Sequence, residues 1–193
     1  HEPIAQTQRL NQLKKIIIDV WERPKLRWLI LLSSTFSSAS FLIVWLSQDY
    51  LQQLDIPIQA FGWAWAVFHL GMSLASLNSH HLQRLLGIRL AVFLLVFTLA
   101  AAYICLGSIT QVWGIVFILI IYLVRGFCSP LILNRINQQI SSSVRATILS
   151  LNSLVFRVIF AVVAPTVGAI AARYDLFTGL IVAGGIFLGM GWF

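Results

Sequence analysis

The sequence predicts an all-α, polytopic membrane protein, a bundle of six transmembrane helices, and three observations predict it. Apolar residues make up 59% of the chain and charged residues only 10%, with a mean hydropathy of +0.89; soluble domains carry about 25% charged residues. Six apolar runs each approach the ~20 residues that a helix needs to cross a ~30 Å hydrocarbon layer. The lysines and arginines also crowd into alternate inter-run segments, as loops held on one side of a membrane do.

Residues 1–24 are expected as an amphipathic linker helix ahead of a bundle over residues 25–193. In "TQRLNQLKKIIIDVWERP", Leu10, Leu13, Ile17, Val20 and Trp21 recur at helical spacing, Lys14, Lys15 and Asp19 occupy the other side, and Pro24 stops the run. Such a segment lies along the interface or on a cytoplasmic surface. The spans follow at approximately residues 27 to 47, 58 to 77, 88 to 107, 112 to 133, 145 to 171 and 175 to 193. Ser33, Ser37 and Ser40, with Ser34 and Ser38 beside them, give the first span a small polar side, and Gly185 with Gly189 puts a small-residue pair in the last; both patterns favour close helix packing. Cys105 and Cys128 fall in apolar runs at different depths and are expected as packing thiols.

Sorting the thirteen basic residues sets the orientation. Arg9, Lys14, Lys15, Arg23, Lys25 and Arg27 precede the first span, Arg84 and Arg89 flank the loop after the second, and Arg135 and Arg145 flank the loop after the fourth. The opposite side receives Asp49, Asp55 and Asp175 against Arg173 alone, so the N-terminal end of this segment is expected in the cytoplasm of a cell with its spans in the inner (plasma) membrane. The net charge of +7 is thereby a topology signal, and nucleic acid is not an expected partner. No cleaved secretory signal is recognisable at His1, and the chain reads as a piece of a longer one.

Enzyme chemistry is poorly served. His80 and His81 are adjacent on a predicted loop without the spacing of a zinc helix, and no Gly-rich phosphate loop, serine nucleophile elbow or carboxylate pair is present. Neither a metal nor a cofactor is expected.

Arg125 and Arg157 remain, each near the middle of its span, where a charge costs ~2.5 to 3.5 kcal/mol on insertion scales and faces protein or a wet cavity. Tyr122, Arg125 and Ser129 share one helix face, and Ser153, Arg157, Ala161 and Pro165 form a mostly small stripe on another. His69, which can take up or release a proton, shares a face with Gly62, Trp65, Ser73 and Ser76. Asn152 lies near Arg157. These residues either bind anionic or polar groups of a small-molecule solute or tie neighbouring helices together. No aspartate or glutamate falls within the six runs, so a membrane-embedded carboxylate of the kind proton-coupled transporters use is missing here.

Three stretches carry a resemblance: the linker before Pro24, "WLSQDYLQQLDIPIQAFGWAWAVFHLGMSLAS", and above all "RGFCSPLILNRINQQISSSVRATILSLNSLVFRVIFAVVAPTVG". The chain resembles the C-terminal half of a major facilitator superfamily transporter over nearly all of its length. "RATILSLNSL", opened by Arg145, is similar to the drug and metabolite efflux branches, and "APTVG", with Pro165 and Gly168, is similar to the element that kinks the corresponding helix. "NSHHLQRLLGIR" keeps Arg84, Gly87 and Arg89 where that family places a basic gating motif, although the motif's aspartate is missing. The resemblance implies alternating access about a midplane site, with an N-terminal six-helix half outside this sequence as the partner bundle. The competing expectation is a non-transporting six-span scaffold whose arginines only hold helices together.

Overall fold

The computed structural model describes residue 14 and residues 16–191, and every described segment longer than a turn is helical. Residues 16–22 carry the end of the linker helix; the rest of the expected linker lies outside the described residues. The helix breaks at Arg23, which is extended (φ −96°, ψ 94°), and Pro24 opens the next helix. Proline suits that place because its fixed φ is helical and its missing N–H would find no partner in a first turn. Arg23 pairs with Asp19 at 2.9 Å, and the Arg27 guanidinium donates to the Trp21 carbonyl and lies over its ring, so the corner is pinned on both sides.

Six helices follow: α1 (Pro24–Gln53), α2 (Ile58–Leu77), α3 (Ser79–Ser108), α4 (Ile115–Gln138, entered through a 3-10 turn at Val112–Gly114), α5 (Arg145–Arg173) and α6 (Leu176–Met190). Five of them are long and apolar enough to cross a membrane, the fourth counted with its 3-10 turn, and the shorter α6 is apolar throughout. The chain is an all-α, multi-pass membrane bundle. In hydrocarbon the backbone can only satisfy itself, which is why these runs are helices and not open strands.

Two expected boundaries move. The first span overruns residue 47, and α1 ends at Gln53 with Asp55 in the left-handed region (φ 54°), where the N–H groups of Asp55 and Ile56 close back on the Gln52 and Leu51 carbonyls. The predicted loop carrying His80, His81, Arg84, Gly87 and Arg89 is helical instead. Asn78 turns the chain, its side chain donating to the Leu74 carbonyl at 2.8 Å, and α3 starts at once with Ser79. Gly87, at φ 71° and ψ 163°, interrupts α3 and separates a two-turn entry segment from the span proper. That conformation belongs almost exclusively to glycine.

α3 packs on α6 and α4, α4 also on α1 and α2, and α5 on α1 and α6. α2 therefore rests chiefly on α4, and α5 sits on the opposite flank. Hydroxyls supply the specific ties: Ser34 and Ser38 of α1 donate to the Asn152 and Phe156 carbonyls of α5 at 3.1 Å, and Tyr103 of α3 donates to the Ala39 carbonyl. Ser40 bonds within its own helix. The expected pair Gly185 and Gly189 does not pack; a methyl group on either would meet nothing within 4 Å, and Gly184 instead faces Ala100 and Ile104 of α3. Cys105 and Cys128 are both free thiols. α5 runs without a break from Arg145 to Arg173 through Pro165, so the proline is carried inside a continuous helix.

Gly87→Ala is expected to lower stability by about 1 to 3 kcal/mol, the cost of holding an L-residue in that backbone region. Thermal unfolding of the detergent-solubilised protein checks this, and an unchanged midpoint would contradict it.

Candidate functional site

Arg125 sits on the eleventh residue of α4, ~15 Å along the helix from its start. Next to it, Gly126 lets α2 approach closely: a Cβ there would lie 2.2 Å from the Met72 carbonyl oxygen and 2.8 Å from the Ala75 side chain. The close crossing places the half-buried guanidinium at the junction of three hollows. One, of about 110 Å³, lies between α1, α4 and α5 and is lined by Ser33, Ser37, Cys128, Ser129 and Asn152. The second, of about 470 Å³, lies between α2 and α4 beside Ser73, Ser76 and Ser129. The third, of about 320 Å³, is bounded by Ser37, Phe41, Asn152, Ser153 and Phe156. Among the described residues Arg125 makes no ion pair, the Arg23 to Asp19 bridge being the only one found.

The predicted residues divide into groups. Trp65, His69 and Tyr122 come together as a ring cluster, His69 lying 6.3 Å from Trp65 in a stacked arrangement and 5.3 Å from Tyr122. His69 is exposed, and its Nδ1 lies 3.1 Å from the Trp65 carbonyl one turn earlier. Tyr122, one turn before Arg125, packs on Phe68, and its buried hydroxyl has no partner among the described residues; neither has the Trp65 indole N–H. Arg125 and Asn152 share two of the hollows. Asn152 also serves packing, since its carbonyl and side-chain oxygens accept from Ser34 at 3.1 and 3.4 Å.

Arg157 departs from expectation. It is exposed, borders none of the three hollows and has no charged partner among the described residues. The reason is rotational. α5 meets its neighbours through Asn152, Phe156, Val163 and Val167, and the next residue after Phe156 is turned ~100° from that contact face. Arg157 instead follows Ser153 by one turn along an uncovered stripe.

That stripe carries Ala146, Ser150, Ser153, Arg157, Ala161, Gly168 and Ala172 at helical spacing and is mostly small, with the exposed Leu154 at its edge and Ala164 partly buried against the core. The other exposed side of α5 carries Val158 and Val162. α2 is divided in the same way, into Gly62, Ala66, His69, Ser73 and Ser76 on one side and Trp63, Val67, Leu70 and Leu74 on the other. Ser73 and Ser76 border one Arg125 hollow and Ser153 borders another, so both small stripes flank the same concave face.

Sequence reasoning missed an aromatic wall. Phe41 meets Phe160 at 4.9 Å and Phe156 at 5.8 Å, edge to face in both cases, with Trp45 beyond at 6.4 Å. The available signal was spacing: Phe41 follows Ser37 by one turn, and Phe156 follows Asn152 by one turn. The expected gating residues lie elsewhere. Arg84 and Arg145 are exposed, while Arg89 joins Lys25, Trp28 and Arg135 around a separate hollow of about 430 Å³. Three basic segments that the charge pattern assigned to one side thus meet at one end of the bundle.

Gly126→Val is expected to cost about 1 to 3 kcal/mol by forcing α2 from α4, whereas Gly185→Ala stays within ~0.5 kcal/mol. Thermal unfolding of the two variants side by side tests the difference. No protein-family model matches this chain, and no curated protein or solved structure matches it.

Proposed function

We propose that this chain is one half of a membrane transporter that moves a small organic solute by alternating access. One observation carries the reading: a concave polar face, centred on Arg125 and flanked by the small stripes of α2 and α5, is covered by none of the described residues, and none of them pairs with the Arg125 charge. Lipid is a poor cover for it. A guanidinium with open hydroxyl-lined space beside it needs water, a ligand or protein, and small residues at helical spacing let a second set of helices come close. The large apolar stripes of the same two helices suit acyl chains.

On this reading a second six-helix bundle, of the major facilitator type, closes over the face and parts from it at either end, so that Arg125 is reached from each side in turn. The spans lie in the inner or plasma membrane with the N-terminal end of the segment in the cytoplasm, as the basic segments favour. Export of a drug-like or metabolic solute is the direction that the efflux-like stretch around Arg145 favours. The rival scaffold reading draws on Arg157: an exposed arginine in a small stripe also suits permanent docking of a partner helix.

Accessibility separates the two. In the full-length protein with Cys105 and Cys128 replaced by alanine, Ser129→Cys is expected to react with a membrane-impermeant thiol reagent supplied from either side of the bilayer. A permanent scaffold leaves it unreactive from both. Arg125→Ala is expected to reduce transport by at least ~30-fold, in line with the ~2 to 5 kcal/mol lost when one partner of a buried charge contact is removed, with thermal stability retained. Normal transport by this variant would make Arg125 structural.

A further inference from the structure

We infer that the solute is an organic anion on a flat apolar body, a carboxylate or sulfonate attached to an aromatic ring, with Arg125 receiving the charged group and the Phe41 and Phe156 wall receiving the ring. The inference rests on the transport reading of the same site and names its substrate class.

The charge inventory is lopsided. Arginine only donates, and Arg125 borders all three hollows. The acceptors beside it are neutral: the serine hydroxyls of the hollows and the Asn152 side-chain oxygen, which also lies within reach of the Ser34 hydroxyl. No aspartate or glutamate lies within α2, α4 or α5, and the one in α1, Asp49, stands three turns beyond Ser37. The described side of the site thus carries one full positive charge among neutral hydroxyls and an amide, and asks for negative charge. A lipophilic cation would face Arg125 with no carboxylate to offset it. Lipid phosphate is excluded by depth, since Arg125 is ~15 Å along its helix.

The apolar requirement comes from the hollow of about 320 Å³, which Arg125 shares with Phe41 and Phe156. Its volume falls in the range of small-molecule pockets, ~300 to 1,000 Å³. The rings meet edge to face, an arrangement that a further planar ring can extend. An inorganic anion or a short aliphatic acid would satisfy Arg125 and leave this wall unused.

Four matched probes test the assignment in proteoliposomes of the full-length protein: 2-naphthoate, 2-naphthamide, a naphthyl trimethylammonium salt and acetate. Saturable uptake is expected for 2-naphthoate alone. Arg125→Gln is expected to weaken it by about 30-fold or more, Arg125→Lys by less than about 5-fold, and Phe41→Ala by about 10-fold. Uptake of the amide or the ammonium salt at the rate of the carboxylate would overturn the anionic assignment, and equal uptake of acetate would overturn the aromatic one. These comparisons use the unmodified protein and stand even where a variant does not fold. If no probe moves while Ser129→Cys is still labelled from both sides, the substrate class fails and the transport reading survives; if neither occurs, both fail.

Discussion

A guanidinium set at the middle of an apolar helix, with no carboxylate to meet it among the described residues, is the constraint on which this bundle turns. Placing Arg125 there costs several kcal/mol unless polar surroundings compensate. The surroundings are hydroxyl-rich on three sides, from α1, α2 and α5, and the hollows between them remain open. Gly126 holds α2 tightly against α4 immediately beside the charge, which keeps Arg125 at the mouth of the hollows and out of the packed interior. Close packing and an open polar site are thus produced by adjacent residues.

The same economy of polar groups explains how the helices are held. Lipid gives apolar helices no hydrophobic reason to associate, so specificity falls to packing and to a few hydrogen bonds of ~0.6 kcal/mol each. α1 collects most of them. Its serines reach the α5 backbone, its Ala39 carbonyl accepts from Tyr103, and its Tyr50 hydroxyl donates to the Ile109 carbonyl at 2.7 Å in the turn before α4. Because Ser34 and Ser38 are spent on α5, the hydroxyls left over for the hollow are those of Ser33 and Ser37.

Much of this was legible in the sequence, and the failures have physical causes. Hydropathy located all six helices, because the need to satisfy the backbone in lipid leaves a strong signal over ~20 residues. It could not show where a helix stops once it leaves the hydrocarbon, hence the overrun of α1 and the helical entry to α3 ahead of Gly87. Spacing brought Trp65 and His69 together, and Arg125 with Ser129, because each pair lies on one helix. Spacing grouped Arg157 with Ser153 but not with the hollows, because a period of 3.6 identifies a face without saying whether the same chain covers it. The Phe41 and Phe156 wall lies across two helices, and aromatics in an apolar run look alike whether they meet lipid or a cavity.

The two flanking helices carry this reasoning one step further. A membrane helix with lipid around its whole free surface has no reason to sort that surface by side-chain size. Both α2 and α5 sort most of it: Ser73 and Ser76 of α2 and Ser153 of α5 border the Arg125 hollows, while Trp63, Val67 and Leu70 of α2 and Val158 and Val162 of α5 lie on the other exposed sides. Two helices that barely touch the same neighbours share this arrangement, so local packing does not account for it. A cover applied across the whole concave face would account for both at once. On the proposed reading that cover also explains why Arg157 is tolerated on α5 outside the hollows: it stands where two bundles meet, where water enters whenever they part and protein shelters it whenever they close.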